Sequence, residues 1–319
     1  MKIKIKKTKA LVLLSGGLDS MLATKLLMKQ GIEVEGICFY SNFFGCGLAR
    51  KAAKQLDIKL REINISEEFL KFLKKKPKYG YGVGLNPCID CHTLMLKKAG
   101  EIMQKERSFS KRSQKISFIA TGEVLNERPM SQNKQALKTV EKEAGLKGYL
   151  LRPLSAKLLK PTIPEKMGLV DRERLLDILG RSRKHQIKLA KEFGIKEYPT
   201  PAGGCMLTQE GFVKRLKNFI EHKPNFDSND IELVKIGRHF WFSANLTQIV
   251  LGRNKKENAQ LVKLTRKNDI IIEPDGFVGP TALVRGTDIS QQNIKKVKKL
   301  IIRFSPKAKE IKNAKFKVQ

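Results

Sequence analysis

The chain has 319 residues, with 64 Lys and Arg against 31 Asp and Glu and a net charge of +33. That length suffices for two domains with real cores. The basic excess runs through both halves and points to a polyanionic partner, nucleic acid before any other. No apolar run approaches membrane-spanning length, so the sequence predicts no membrane partner and a cytoplasmic protein. In that compartment its five cysteines are expected as reduced thiols or metal ligands, not disulfides.

Residues 1–7 alternate charged and apolar side chains. Residues 9–14 (KALVLL) then read as a short buried strand, and a helix is predicted from Met21 onward. Between them lies Ser15-Gly16-Gly17-Leu18-Asp19-Ser20. Two glycines let the backbone approach a ligand, and N–H groups of the turn and helix N-terminus favour an anion. Ser15 and Ser20 add hydroxyl donors, and Asp19 can hold a magnesium ion that bridges phosphate oxygens. The segment is a candidate phosphate cradle. It lacks the lysine of a Walker loop and the spacing of a dinucleotide fingerprint.

Gly31 closes the first helix. Strands are predicted at 32–40, 59–65 and 117–123, with helices at 47–56 and 67–76. The alternation argues for an α/β fold, a doubly wound parallel sheet whose ligands sit beyond the strand C-termini. Leu14, Phe39 and the Thr121-Gly122 pair all fall at such ends. Between the third and fourth strands come a Gly/Tyr-rich loop (79–84) and Asn86-Pro87-Cys88-Ile89-Asp90-Cys91-His92. A C-x-x-C pair serves zinc, redox or iron–sulfur chemistry, or begins a helix with two buried thiols. Haem attachment is rejected, because it belongs to exported proteins.

Cys205 follows Pro199-Thr200-Pro201-Ala202-Gly203-Gly204, a stiff and then permissive loop suited to presenting a thiolate. Cys88, Cys91 and Cys205 together offer three ligands, enough for a [4Fe–4S] cluster with one open iron. Cys38 reads as core, and Cys46 stays ambiguous at a helix start.

SGGLDS, NPCxxC, Ala120-Thr121-Gly122 and the late AGGC together resemble the tRNA thiolation branch of the PP-loop ATP pyrophosphatases, over about residues 8–208. That branch contains the 4-thiouridine synthases and the 2-thiouridylases. The resemblance implies ATP held by Leu13, Leu14, Ser15, Gly16, Gly17, Leu18, Asp19 and Ser20, by Phe39, and by Thr121 and Gly122. It implies sulfur chemistry at Cys205 and one of Cys88 and Cys91, and a [4Fe–4S] cluster where all three cysteines act together. Two departures stand out. Glu123 follows the ATG segment where 2-thiouridylases usually carry histidine, and the 319 residues leave no room for the THUMP or rhodanese domains of the longer 4-thiouridine synthases.

Helices are expected at 171–179 and 183–193, flanking a basic cluster, Arg181-Ser182-Arg183-Lys184-His185-Gln186. That cluster suits RNA phosphates, the triphosphate of ATP, or a merely solvated face. From about 209 the pattern changes to a smaller α+β unit. Helices are predicted at 212–221 and 294–303, and strands near 231–236, 239–244, 248–252 and 270–274. A basic loop at 252–258 opens a further helix. Arg238-His239-Phe240-Trp241-Phe242 mixes aromatic and basic groups as single-stranded RNA binders do, unless the phenylalanines are core. This half more distantly resembles the RNA-binding domain of NFACT proteins.

The sequence therefore predicts two domains, 1–208 and 209–319, and a tRNA sulfurtransferase. It would adenylate a uridine carbonyl with ATP and magnesium and replace the oxygen with sulfur. The sulfur would come from sulfide through the cluster, or from a desulfurase or persulfide carrier through a cysteine persulfide. The rival readings are a PP-loop enzyme using a nitrogen nucleophile and a non-enzymatic RNA-binding protein. The sequence leaves the oligomeric state open, a dimer included.

Overall fold

A computed structural model describes residues 8–109, 115–200, 205–242, 247–287, 289–306, 310 and 313–319. The alternating segment 1–7 and most of the loop preceding Cys205 lie outside the described residues. The chain divides into two compact units that meet at Thr208 and Gln209.

The first unit runs β1 (Lys9–Leu13), α1 (Leu18–Met28), β2 (Glu33–Tyr40), α2 (Gly47–Leu56), β3 (Lys59–Asn64) and α3 (Ser66–Lys74). It continues with α4 (Cys88–Phe109), β4 (Ile116–Thr121), α5 (Lys134–Glu143), β5 (Leu150–Leu151), α6 (Ile163–Lys166) and α7 (Lys184–Glu192). The five strands are parallel in the order β3-β2-β1-β4-β5. This is the doubly wound sheet that the alternation predicts. Chain order reverses between β1 and β4, and a crevice opens at the carboxyl ends of strands flanking such a point. Register places Leu13 beside both Ile37 and Thr121, so β1 and β4 end level at that crevice while β2 runs three residues further to Tyr40.

The helix α1 is apolar on nearly every side because it is enclosed. Leu18, Met21, Leu22 and Leu26 share one cluster with Ala52, Ala53 and Leu56 of α2 and Ala190 of α7. Beneath it, Ala10, Val12, Phe118 and Ala120 of β1 and β4 pack with Leu27 and Leu151. The expected helix at 171–179 is not formed. Asp171 caps a single 3-10 turn, Arg172–Arg174, and the chain then runs extended until Leu179 bridges Leu125. A local cap signal thus yielded to a tertiary pairing.

The second unit contains α8 (Glu210–His222), α9 (Ser228–Val234), β6 (Arg238–Phe242), β7 (Thr247–Leu251), α10 (Lys255–Lys263), β8 (Ile270–Asp275), β9 (Ala282–Gly286), α11 (Gln291–Arg303) and β10 (Lys315–Val318). Its sheet is antiparallel in the order β10-β8-β9-β7-β6. The strand expected near 231–236 is the helix α9, because Asp227 and Asp230 form a reciprocal capping box at its start. Phe240 and Phe242 pack against the cluster of Ile249, Val284, Val297 and Ile301. Trp241 faces the other way and stacks on His222, with ring centres 4.6 Å apart. The two phenylalanines are thus largely used by the core.

Cys38 and Cys46 correct an expectation: they form a disulfide, with Cα atoms 5.9 Å apart. The bridge between Ser41 and Phe44 turns the chain back sharply after β2 and brings the cap of α2 against the strand. Both sulfurs are buried there with Ala49. A separation of eight residues, read as sequence, does not reveal this turn.

Candidate active site

The glycine turn after β1 is built on buried anchors and open donors. Leu14 and Leu18 are buried in the core beneath it, and Leu14 N–H donates to the Ile37 carbonyl at 2.9 Å. Gly16 takes a positive φ of 81°, and a Cβ there would lie 2.3 Å from the Leu48 carbonyl carbon. Only glycine fits. Gly17 caps α1 with no side-chain acceptor, so the first-turn N–H groups stay available. Ser15 is exposed and accepts from Gly17 N–H, while Ser20 donates to the Gly17 carbonyl at 2.8 Å. At the end of β4, a Cβ on Gly122 would lie 2.4 Å from Ser20 N. That glycine therefore lets the strand end abut the first turn of α1. Phe39 is buried at the end of β2, and Tyr40 beside it is exposed.

Asp19 is pushed up from the ordinary carboxylate range by burial, opposed by the charges of Arg183 and Arg128. Its Oδ1 is buried without a hydrogen-bond partner. A buried acceptor in that state suits a cation, and magnesium is commonly held by one or two carboxylates together with substrate phosphates. The residues present therefore fit magnesium.

The second half of the site is the start of α4. Cys88 is its first residue, so the C-x-x-C pair occupies the first turn of a 22-residue helix. Asp90 accepts from the N–H groups of Lys78 and Tyr79, which pins the Gly/Tyr loop over that turn. A Cβ on Gly82 would sit 3.5 Å from Cys88 Sγ. Cys205 reaches the same place because the chain after it is tied down: Met206 N–H meets the Phe43 carbonyl and Leu207 accepts from Leu85 N–H.

The three thiols influence one another electrostatically. Burial raises Cys91 strongly, with smaller pushes from Cys205 and Cys88. Cys88 is raised less, because burial is opposed by a backbone N–H and by the positive charge of Arg128. Burial also raises Cys205, against the pull of Leu207 N–H.

The cluster expectation is not supported. Among the described residues, no group of three or more His, Cys, Asp or Glu side chains is placed to hold a metal ion. Cys91 is buried, and Cys88 and Cys205 are half-buried. The [4Fe–4S] assignment to Cys88, Cys91 and Cys205 does not fit the residues as arranged.

A buried network, invisible in sequence spacing, joins the two halves. Glu123 Oε1 lies 3.0 Å from His92 Nδ1, and Glu123 Oε2 accepts from Arg152 Nε at 2.9 Å and from the Thr121 hydroxyl. Burial alone would raise Glu123, but Arg152 and His92 carry it down to about 2. The histidine absent after the ATG segment is thus present in space, supplied by α4. Arg128 and Glu127 were also unanticipated. They lie on the loop after β4, where Asn126 adopts a positive φ of 63°.

Residues 8–165 match the tRNA methyl transferase HUP domain family, and residues 237–319 match the NFACT protein RNA binding domain. A tRNA-specific 2-thiouridylase from Caldicellulosiruptor saccharolyticus is 25% identical over 318 residues, covering 89% of this chain and 80% of that protein. A tRNA-specific 2-thiouridylase from Ruthia magnifica subsp. Calyptogena magnifica is 38% identical over 109 residues, 29% of each chain. A solved 4-thiouridine synthetase in complex with RNA and ATP shares 18% identity, covering 72% of this chain and 52% of that one, with a TM-score of 0.38. Each of these two family matches spans less than half of the chain, and together they make residues 8–165 similar to a tRNA methyl transferase HUP domain and residues 237–319 similar to an NFACT RNA binding domain.

Proposed function

We propose that this chain is an ATP-dependent tRNA sulfurtransferase that converts a uridine carbonyl to a thiocarbonyl. One observation carries the reading: the candidate cradle and the thiols are joined at the end of β4, where Gly122 abuts Ser20 and Glu123 lies 3.0 Å from His92 on the helix that begins with Cys88. The 2-thiouridylase relatives support the same activity.

ATP would bind with its phosphates at the N-terminus of α1, where unpaired N–H groups and the helix dipole favour anions. Asp19, with Glu127 beside it, would hold magnesium, which supplies neutralisation of phosphate charge. The uridine carbonyl oxygen attacks the α-phosphorus, and pyrophosphate leaves with the electrons of the broken P–O bond. The base is then activated, because AMP replaces a poor leaving oxygen. A persulfide on Cys205, loaded by an external sulfur donor, attacks the activated carbon through its terminal sulfur, and AMP departs. Cys88 thiolate then attacks the Cys205 sulfur, releasing thiouridine and leaving a Cys88–Cys205 disulfide that an external dithiol reduces. Cys88 suits the resolving role better than Cys91, since it is the less buried of the two and a backbone N–H and Arg128 oppose the rise that burial imposes on it.

The test is tRNA-dependent pyrophosphate release and thiouridine formation, read by mass spectrometry with ATP, magnesium, tRNA and a persulfide donor. Asp19→Ala is expected to lose both products. Cys205→Ser is expected to keep pyrophosphate release and lose thiouridine. Thiolation that survives Cys205→Ser, or release that survives Asp19→Ala, overturns the assignment.

A further inference from the structure

Several polar groups around Asp19 are left without partners by the protein itself. Arg183, at the cap of α7, places Nη2 3.9 Å from Asp19 Oδ2, too far for a hydrogen bond. Its Nε is buried and unpartnered. Gln186, on the first turn of α7, is fully buried, and neither atom of its amide has a hydrogen-bond partner. That amide faces the Asp19 carboxylate closely enough to lower its pKa without reaching hydrogen-bond geometry. An unsatisfied buried polar group costs about 1–3 kcal/mol. Two such residues beside a carboxylate whose own Oδ1 is unpartnered mark a place built for something else.

Arg128, on the loop after β4, adds a second positive charge. It is exposed, and its charge acts on Asp19, on Glu127 and on Cys88. The loops carrying the two arginines are held together, since Leu125 pairs with Leu179 and Gly180 N–H donates to the Leu125 carbonyl at 2.8 Å. Glu127 is pushed up by burial and by Asp19. Two carboxylates and two guanidinium groups therefore lie within electrostatic reach of one another. Carboxylates suit a divalent cation, and guanidinium forks suit phosphate oxygens.

We propose that Arg128, Arg183 and Gln186 form the wall of the nucleotide site opposite the glycine turn and bind the β- and γ-phosphates of ATP, the part that leaves as pyrophosphate. This rests on the nucleotide reading above. When the α-phosphorus is attacked, the bond to its bridging oxygen breaks and the electron pair moves to the pyrophosphate. Fixed guanidinium groups then meet negative charge where it develops. The orphaned Gln186 amide and Arg183 Nε gain acceptors at the same time.

The experiment is calorimetric titration of ATP, inorganic pyrophosphate and AMP, each with magnesium, into the full chain. Arg128→Gln tests an exposed side chain that the fold does not need, and Arg183→Lys keeps the charge while removing the fork. Each is expected to weaken ATP and pyrophosphate at least tenfold while changing AMP affinity less than twofold. Unchanged pyrophosphate affinity in both variants overturns the clamp, and so does an AMP loss as large as that for ATP. If the unsubstituted chain binds neither ATP nor pyrophosphate, the nucleotide reading itself fails. If it binds both and the variants match it, only the clamp fails.

Discussion

Cys88 and Cys91 are three residues apart on one helix yet differ in what their sulfurs can do. Cys88 begins α4, where a backbone N–H and Arg128 oppose the rise that partial burial imposes, whereas Cys91 is buried among like-charged neighbours. A thiolate is the reactive form, so alkylation rates follow these surroundings. In the native protein at pH 8, iodoacetamide is expected to modify Cys88 and Cys205 well before Cys91, read by peptide mass spectrometry. Arg128→Gln should slow Cys88 several-fold, because the favourable charge is gone. Equal rates at Cys88 and Cys91 would show that their environments do not differ as described. At the same scale, Glu123 shows how a sequence departure resolves in space: its carboxylate is held by Arg152 and holds His92 in turn.

Among elements, the decisive contact is between the end of β4 and the first turn of α1. Gly122 and Ser20 come so close that an alanine Cβ would collide with backbone atoms on both sides of the Asp19–Ser20 peptide. Backbone cannot rotate out of the way as a side chain can. Gly122→Ala is therefore expected to destabilise the first unit by about 1–3 kcal/mol, the usual cost of overpacking. It should also weaken ATP binding at least tenfold by displacing the first-turn N–H groups. Differential scanning calorimetry with ATP titration checks both. An unshifted Tm with normal ATP affinity would mean that the contact is looser than the geometry states.

For the whole molecule, charge is the dominant property. The helix α11 turns Val297 and Ile301 into the core and leaves Lys295, Lys296 and Lys299 exposed. If the NFACT-type unit grips tRNA through phosphates, log affinity should fall steeply with log salt, by about 0.9 per phosphate contact on duplex nucleic acid. Replacing Lys295, Lys296 and Lys299 together by Ala should weaken binding at every salt concentration and flatten the slope by about two to three units. An unchanged slope in filter-binding or anisotropy titrations moves the RNA contact away from α11. Among the described residues, no helix is long and apolar enough to cross a membrane.

The sequence by itself determined what short-range physics controls. Short apolar runs gave the parallel strands, and the paired glycines gave the turn that carries Asp19 from β1 into α1, since both depend on neighbours in the chain. The cap of Asp227 and Asp230 that makes 228–234 a helix is short-range too, a signal that the apolar pattern of 231–236 masked. The tertiary structure alone decided two other things. Cys38 and Cys46 met because a tight turn closes between them. Arg183 and Gln186 come to Asp19 because α7 packs against α1, which carries that carboxylate. Proximity between residues more than 50 positions apart is set by how strands register and helices pack, and no local spacing encodes it.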